Sequence, residues 1–292
     1  MRKATLLVSA AFAIFVAIQA PAQTFNLLHS FNPGPGIFPT GYLPGGPLVL
    51  SGNTLYGASQ NGGASGDGVI FAVNTDGSGF TTLYAFTNGY GPRPASLLLS
   101  GNTLYGTTFA GGSSGDGTVF KVSTDGSGFA VLHSFSASSD GSEPAASLAL
   151  SGNTLYGTAW TDGAQGFGTI FAVNTDGTGF TNLHSFTSIE AANPNGVVLS
   201  DNRLYGTTSG LGSGTVFAIN TDGTGFEVLH NFTPPGVNGV NPDGSLPMAA
   251  LTLSGGTLYG TAASGGRIEQ RHCLRHQHGR EWLHELVQPP RR

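Results

Sequence analysis

Residues 150–186 read LSGNTLYGTAWTDGAQGFGTIFAVNTDGTGFTNLHSF, and close copies of this phrase recur along the chain. The Leu-Tyr-Gly core of the phrase occurs five times, beginning at Leu55, Leu104, Leu155, Leu204 and Leu258. The steps between these positions are 49, 51, 49 and 54 residues. A period near 50 residues is typical of arrays in which each small unit buries its apolar faces only against its neighbours.

One copy of the repeat predicts four short strands. In the second copy these are Ser96–Ser100, Thr103–Thr108, Thr118–Val122 and Phe129–Phe135. Asp-Gly in the turn before the fourth strand tolerates the positive φ of a tight hairpin, and helical periodicity is absent. Several strands are apolar on both faces and must therefore be covered on both sides. The sequence predicts an all-β fold, a β-propeller of about five four-stranded blades with an incomplete last blade.

The first copy of the repeat is preceded by a single strand. Phe25–Phe31 matches the fourth strand of later units, such as Phe180–Phe186. We expect this strand to close the ring by pairing with the first three strands of the last blade. The alternative is an open array with one strand left over.

Composition and charge restrict the classes of partner. Of the 292 residues, 39% are hydrophobic and only 9% are charged, so the chain has enough apolar residues for a core. Residues 23–266 hold three basic and 13 acidic residues. This balance disfavours nucleic acid and anionic lipid as partners. Cys273 is the sole cysteine, which excludes an internal disulfide. We expect a monomer without cofactors.

Residues 1–22 have the pattern of an export signal peptide. Arg2 and Lys3 precede the apolar segment Leu6–Ile18, and Ala20–Ala22 fits a cleavage site before Gln23. Thirteen apolar residues are too few for a membrane-spanning helix, which needs about 20. The sequence therefore predicts a secreted, periplasmic or cell-surface protein, with the repeat domain over residues 23–266.

Residues 267–292 differ in composition from the rest of the chain and contain six arginines and four histidines. His272, Cys273, His276 and His278 look like metal ligands, but we favour another interpretation. In a reading frame shifted by one base, ordinary codons turn residues 271–288 into GTVFAINTDG(S/N)GFTNLYS. This matches GTVFAINTDG at residues 214–223. We interpret the tail as a frameshifted third and fourth strand, so that any C-terminal anchor is lost.

Residues 99–135 and 150–186 resemble the GloVer tandem repeat of bacterial exported choice-of-anchor proteins. The resemblance covers about residues 25–266. It implies an extracytoplasmic repeat protein, often with a C-terminal surface anchor, and implies no particular activity. The tail departs from the family pattern.

Two sets of polar residues repeat with the units and are interpreted as structural. His29, His133, His184 and His230 share one position in the fourth strand, where Tyr84 stands in the first complete unit. A catalytic acid or base is needed once, so a residue in every repeat indicates packing. Asp76, Asp125, Asp176 and Asp222 lie in the Asp-Gly hairpins. Each loop offers one carboxylate, whereas calcium needs roughly six to eight oxygens, so we favour turn formation over calcium binding.

Aromatic residues are the candidates for ligand contact. A tyrosine recurs in every Leu-Tyr-Gly motif, and we favour a place in the core for these rings over stacking on sugars. Trp160 is different, because it replaces Phe109 of the preceding unit beside a glycine-rich loop. We name Trp160, Tyr105 and Tyr156 as candidate ligand contacts and assign no catalytic, cofactor-binding or metal-binding residue.

The sequence favours an exported, non-enzymatic interaction module whose partner is a glycan or a protein. Glu143, Glu190 and Glu227 are the only glutamates between residues 23 and 266. They fall in different units, and geometry must decide whether any two of them approach the separation that a glycosidase requires. The alternatives are a polysaccharide-active propeller enzyme and a truncated gene product without function.

Overall fold

A computed structural model describes residues 26–31, 40–87, 93–144, 146–190, 192–210, 212–234, 243–264, 272–277 and 283–285. For the last two ranges only the backbone is described. The predicted signal peptide, residues 1–22, lies outside these ranges. Within them, no helix has the length and apolar character needed to cross a membrane.

In the described part of the chain, twenty strands form five four-stranded antiparallel sheets, each built from four consecutive strands in the order of the chain. Sheet 1 comprises β1 (Tyr42–Ser51), β2 (Thr54–Asn61), β3 (Val69–Asn74) and β4 (Thr81–Ala85). Sheet 2 comprises β5 (Pro94–Ser100), β6 (Thr103–Thr108), β7 (Thr118–Ser123) and β8 (Ala130–Ser134). Sheet 3 comprises β9 (Ala149–Ser151), β10 (Thr154–Ala159), β11 (Thr169–Asn174) and β12 (Thr181–Ser185). Sheet 4 comprises β13 (Pro194–Ser200), β14 (Arg203–Thr208), β15 (Thr215–Asn220) and β16 (Glu227–Asn231). Sheet 5 comprises β17 (Thr252–Ser254), β18 (Thr257–Ala262), β19 (His272–Gln277) and β20 (Leu283–Glu285).

The first strand of each sheet lies innermost. β1 contacts β5, β9 contacts β13, and β13 contacts β17, so the first strands meet in three pairs of neighbouring sheets. The sheets thus stack face to face about a common axis, and neighbouring sheets cover each other's apolar faces. The prediction of an all-β propeller with about five four-stranded blades is confirmed.

The glycine of each Leu-Tyr-Gly motif makes room for an aromatic ring. Phe171 is fully buried between sheets 2 and 3, and its ring lies against Gly157. A Cβ atom on Gly157 would come within 2.5 Å of the Phe171 Cζ atom, far inside van der Waals contact. Gly106 stands in the same relation to Phe120, and Gly206 to Phe217. The repeated glycine is therefore a packing requirement.

The expectation of an incomplete last blade is corrected, because the fifth sheet also has four strands. β19 pairs with β18 so that Thr257 faces Gln277 and Ala262 faces His272. In sheet 3 the same register joins Thr154 to Asn174. Backbone pairing at an open strand edge does not depend on side chains, so a tail of unusual composition still completes the ladder. The frameshift interpretation itself stays a prediction.

Residues 26–31, which precede the first sheet, do not pair with the last blade as expected. Residues 26–31 belong to none of the five described sheets, and the fourth-strand position of sheet 5 is taken by β20. Phe31 packs instead on the face of sheet 1 that points away from sheet 2, with its ring 5.0 Å from that of Phe71. The expected pairing with the last blade is thus corrected, because the outer edge of β19 is already paired.

Candidate functional site

The first two strands of each sheet are held together at one end of the propeller by a repeated backbone feature. A residue with left-handed φ stands directly before a proline at or next to the start of β1, β5 and β13, and six residues before the start of β9 and β17. These residues are Leu43, Arg93, Glu143, Asn193 and Leu246. The residues opposite lie at or next to the ends of the second strands, namely Gln60, Phe109, Trp160, Ser209 and Ala263. In four sheets the second-strand residue donates its backbone N–H to the carbonyl oxygen of its partner, over 3.0–3.4 Å. We call these ten residues the axial rim.

Strained backbone of this kind clusters at functional sites in many proteins. The rim residues also differ from sheet to sheet, whereas the strands beneath them repeat. The rim is therefore the part of the five similar units in which the side chains differ from one unit to another.

A cavity of about 260 Å³ opens beside the axial rim. Four consecutive sheets line it, with Phe109, Ala146, Trp160, Pro194, Asn195 and Met248. Trp160 is 38% exposed and Met248 is 63% exposed, so the apolar wall is open to solvent. An apolar pocket with a few polar groups is the common form of a ligand site.

Polar groups surround the aromatic wall of the cavity. Asn195 donates its Nδ2 to the carbonyl oxygen of Pro247 over 2.8 Å, which fixes the orientation of its amide. The Arg93 guanidinium lies 5.8 Å from the centre of the Phe109 ring. The backbone of Trp160 is fixed in place, because Asn193 Nδ2 donates a hydrogen bond to its carbonyl oxygen over 3.2 Å. The contacts of the Trp160 backbone thus position the indole, and part of the side chain remains exposed to solvent.

Glu143 is the titratable group next to Trp160. Burial raises the pKa of this carboxyl, the Asp162 carboxylate raises it further, and Arg93 lowers it. The other two glutamates serve elsewhere. Glu190 lies 3.2 Å from His184, and Glu227 forms an ion pair with Arg203. Of the three glutamates, Glu143 is therefore the one beside Trp160, whose backbone N–H donates to its carbonyl oxygen, and the Asp162 carboxylate acts on its charge.

The structure separates the three candidate ligand contacts. Tyr105 and Tyr156 are buried between sheets, where they belong to the apolar cores. Their rings are covered by the next sheet, so we correct their assignment as ligand contacts and describe them as packing residues. Trp160 keeps an exposed ring in the cavity. The sequence did not single out Met248 or Asn195, because neither belongs to the repeated motif.

The repeated histidines join neighbouring sheets. The His133 ring stacks on that of Phe180 in the next sheet, with centroids 3.5 Å apart, and its Nε2 lies 3.1 Å from an Asp140 carboxylate oxygen. His184 repeats this arrangement with Phe226 and Glu190. Tyr84 stacks on Phe129 in the same way. The packing interpretation of the histidines is confirmed.

We expect the burial of His133 in its stack with Phe180 to make the protein less stable at acidic pH. Burial lowers the pKa of His133 below its ordinary value of 6.5, and Asp140 opposes this shift in part. The unfolded chain then binds a proton more readily than the folded chain, so stability is lost as the pH falls below about 6.5. In His133→Tyr, which places at this position the residue type that Tyr84 provides in sheet 1, the loss should be smaller by a few degrees of Tm at pH 5. Thermal melts of both proteins from pH 8 to 5 test this, and parallel curves would contradict it.

The aspartates of the Asp-Gly hairpins form turns. Asp125 Oδ1 accepts hydrogen bonds from the hydroxyl and the backbone N–H of Ser127, over 2.6 and 2.9 Å. Both bonds lower the pKa of the Asp125 carboxyl, and the bond from the hydroxyl has the larger effect. Asp76, Asp176 and Asp222 make the same contacts. Among the described residues, no group of three or more His, Cys, Asp or Glu side chains could hold a metal ion.

The fold has relatives among solved structures. The crystal structure of the nidogen/laminin complex contains a chain with 17% identity and a TM-score of 0.52, and the match covers 82% of this chain and 77% of that one. TolB from Acinetobacter baumannii has 12% identity and a TM-score of 0.52, with 78% of this chain and 52% of that one covered. At these identities the likeness shows the fold alone.

A comparison with curated proteins found no match. The model of the Gloeobacter/Verrucomicrobia repeat family matches residues 12–209 and 91–274. These two overlapping segments cover nearly all of the repeats, including the five Leu-Tyr-Gly motifs and the strands that bear the axial rim. The chain therefore belongs to the Gloeobacter/Verrucomicrobia repeat family.

Proposed function

We propose that this protein is an exported, non-enzymatic interaction module that binds glycans at the axial cavity. The observation that carries the proposal is the partly exposed Trp160 ring, which lies with Phe109 and Met248 on the wall of a cavity shared by four sheets. Membership of a repeat family and the propeller fold support a role in binding, because repeated units of this kind present extended surfaces.

The chemistry of the cavity fits a sugar ring. One face of a pyranose is rich in C–H groups and packs on an aromatic ring, while its hydroxyls need hydrogen-bond partners at the edge. Trp160 and Phe109 supply aromatic surface, and Asn195 and Arg93 supply polar groups beside it. A cavity of about 260 Å³ has room for one sugar unit. We therefore expect one sugar ring of the glycan, or the end of a glycan chain, to occupy the cavity.

Export rests on the pattern of the first 22 residues. Arg2 and Lys3, the apolar segment Leu6–Ile18 and the small residues Ala20 and Ala22 form the three regions of a signal peptide in the required order. Fusion of residues 1–30 to a reporter that is active only outside the cytoplasm tests the proposal. A reporter that stays in the cytoplasm would contradict it.

We expect Trp160→Ala to abolish most of the glycan binding. An aromatic residue at the centre of a binding site contributes about 2 kcal/mol or more, which corresponds to a loss of affinity of about 30-fold. The purified protein is first screened on a glycan array, and the affinity for the best glycan is then measured by calorimetry for both proteins. Because the ring is partly exposed, the variant should keep the Tm of the parent protein.

Val131→Ala is the matched control. Val131 is 47% exposed, similar to Trp160, but it lies on the fourth strand of sheet 2, away from the cavity. This variant should bind as the parent protein does. Equal affinity of Trp160→Ala and the parent protein would exclude the cavity as the glycan site, whatever the array shows.

A polysaccharide-active enzyme is the second candidate, and the environment of Glu143 favours it. A carboxyl with a raised pKa beside a second carboxylate is the arrangement of a general acid with its partner. Chromogenic glycosides distinguish the two functions. Turnover that Glu143→Gln abolishes, with binding preserved, would establish an enzyme. Binding without turnover favours the interaction module.

A further inference from the structure

Four interfaces between neighbouring sheets share one design. The tyrosine of each Leu-Tyr-Gly motif points towards the next sheet, where it meets a leucine or valine of the first strand and the leucine of the second strand. Tyr56 thus packs with Leu97 and Leu104, and Tyr156 with Val197 and Leu204. We call the face with the tyrosine the rear face and the face with the leucines the front face.

The front face of sheet 1 lacks the cover that the other front faces have. Leu48 is 51% exposed, whereas its equivalents Leu97, Leu148 and Val197 are 2–7% exposed. Leu50, two residues along the same strand, is 58% exposed. The apolar pattern of the strand is the same as in the other sheets, so this exposure reflects a missing neighbour.

The rear face of sheet 5 is open as well. Tyr259 is 41% exposed, whereas the four equivalent tyrosines are 3–9% exposed. A front face and a rear face of the same repeated interface are thus both uncovered, at the two ends of the array. They are the two surfaces that one further sheet would cover.

Residues 26–31 contact sheet 1 in the way that the fourth strand of sheet 2 contacts sheet 3. Phe31 lies 5.0 Å from Phe71, as Phe135 at the end of the second sheet's fourth strand lies 5.0 Å from Phe171. His29 stacks on Phe80 with centroids 3.7 Å apart, as His133 stacks on Phe180. The backbone of Leu28 lies against the hairpin at Gly77, as that of Leu132 lies against Gly177.

The described chain therefore has five complete sets of four strands and, in residues 26–31, one further segment at a fourth-strand position. We propose that a sixth repeat unit of the same sequence pattern occupies the gap between sheets 5 and 1. This unit contributes three strands, and residues 26–31 contribute the fourth. The unit would bury Leu48 and Leu50 with its own tyrosine and cover Tyr259 with its own leucines. The occupant is argued from continuity with the four existing interfaces, which use the same positions.

An extended chain tests the proposal. Residues 265–292 are replaced by a copy of residues 211–264 followed by a copy of residues 211–225. The first 21 added residues complete sheet 5, and the remainder supplies three strands of a sixth sheet. We expect the extended chain to fold and to melt at a higher temperature than the original chain.

Leu48→Asp gives the decisive comparison. In the original chain Leu48 is half exposed, so the substitution should change Tm little. In the extended chain the same carboxylate would be buried between sheets, so Tm should fall by many degrees. Val131→Asp, on the exposed side of a fourth strand, should have the same small effect in both chains.

Three results would overturn the proposal. The first is an equal effect of Leu48→Asp in the two chains. The second is an extended chain that fails to fold while the original chain folds. The third is self-association of the original chain that Leu48→Asp abolishes in sedimentation experiments, because the occupant of the gap would then be a second copy of the chain.

Discussion

Replacement of Phe171 by alanine should lower the free energy of unfolding by about 3–5 kcal/mol, the usual loss when a buried phenylalanine is truncated. Phe171 is fully buried in the interface between sheets 2 and 3. Its ring lies 5.0 Å from that of Phe135 and 5.9 Å from that of Phe180, so removal leaves a cavity bounded by rings from two sheets.

Urea denaturation of the parent protein and of Phe171→Ala measures this loss, and the slope of the transition shows whether unfolding stays cooperative. Val131→Ala removes a half-exposed side chain and should change the free energy of unfolding by no more than about 0.5 kcal/mol. A loss below about 1 kcal/mol for Phe171→Ala, at unchanged slope, would show that the interface between these sheets is not the core of the protein.

Addition of one methyl group at Gly157 should be the second most damaging change, at about 1–3 kcal/mol. The new Cβ would lie 2.5 Å from Phe171 Cζ and 2.8 Å from Leu148 Cδ2. Both neighbours are buried, so they have little space into which to move. The same argument applies to the glycine of the motif in sheets 1, 2 and 4.

A double variant identifies the cause. In Gly157→Ala combined with Phe171→Leu, the shorter side chain relieves the contact, so the combined loss should be smaller than the sum of the two single losses. Gly152→Asp is the matched control, because Asp201 occupies the same turn position in sheet 4 with a φ of 51°. Strict additivity in the double variant would mean that the ring does not cause the destabilisation.

Strand positions could be predicted from the sequence because each strand carries its own local signals. The predicted strand Thr103–Thr108 coincides with β6, and the other three strands of the second unit differ from β5, β7 and β8 by one or two residues at one or both ends. Turn residues set these bounds, and turn chemistry is a property of a few neighbouring residues.

The candidate site could be predicted only in part. Trp160 stood out because it breaks a repeated pattern, and it lines the cavity. Met248 and Asn195 belong to other repeat units, and no local signal relates them to Trp160. The local sequence around Tyr105 and Tyr156 does not show whether the two rings are exposed or buried. The residues that bury them lie about 50 positions away in the chain.

The sequence by itself determined the repeat, the four strands of each unit and the all-β class, because a period near 50 residues and the turn residues are local features. Tertiary structure alone decided which surfaces remain open. The exposure of Leu48, Tyr259 and Trp160 depends on what stands opposite each side chain, and identical motifs in the sequence have different neighbours at the ends and in the middle of the array. Local sequence sets backbone conformation, whereas burial is a property of the assembled sheets.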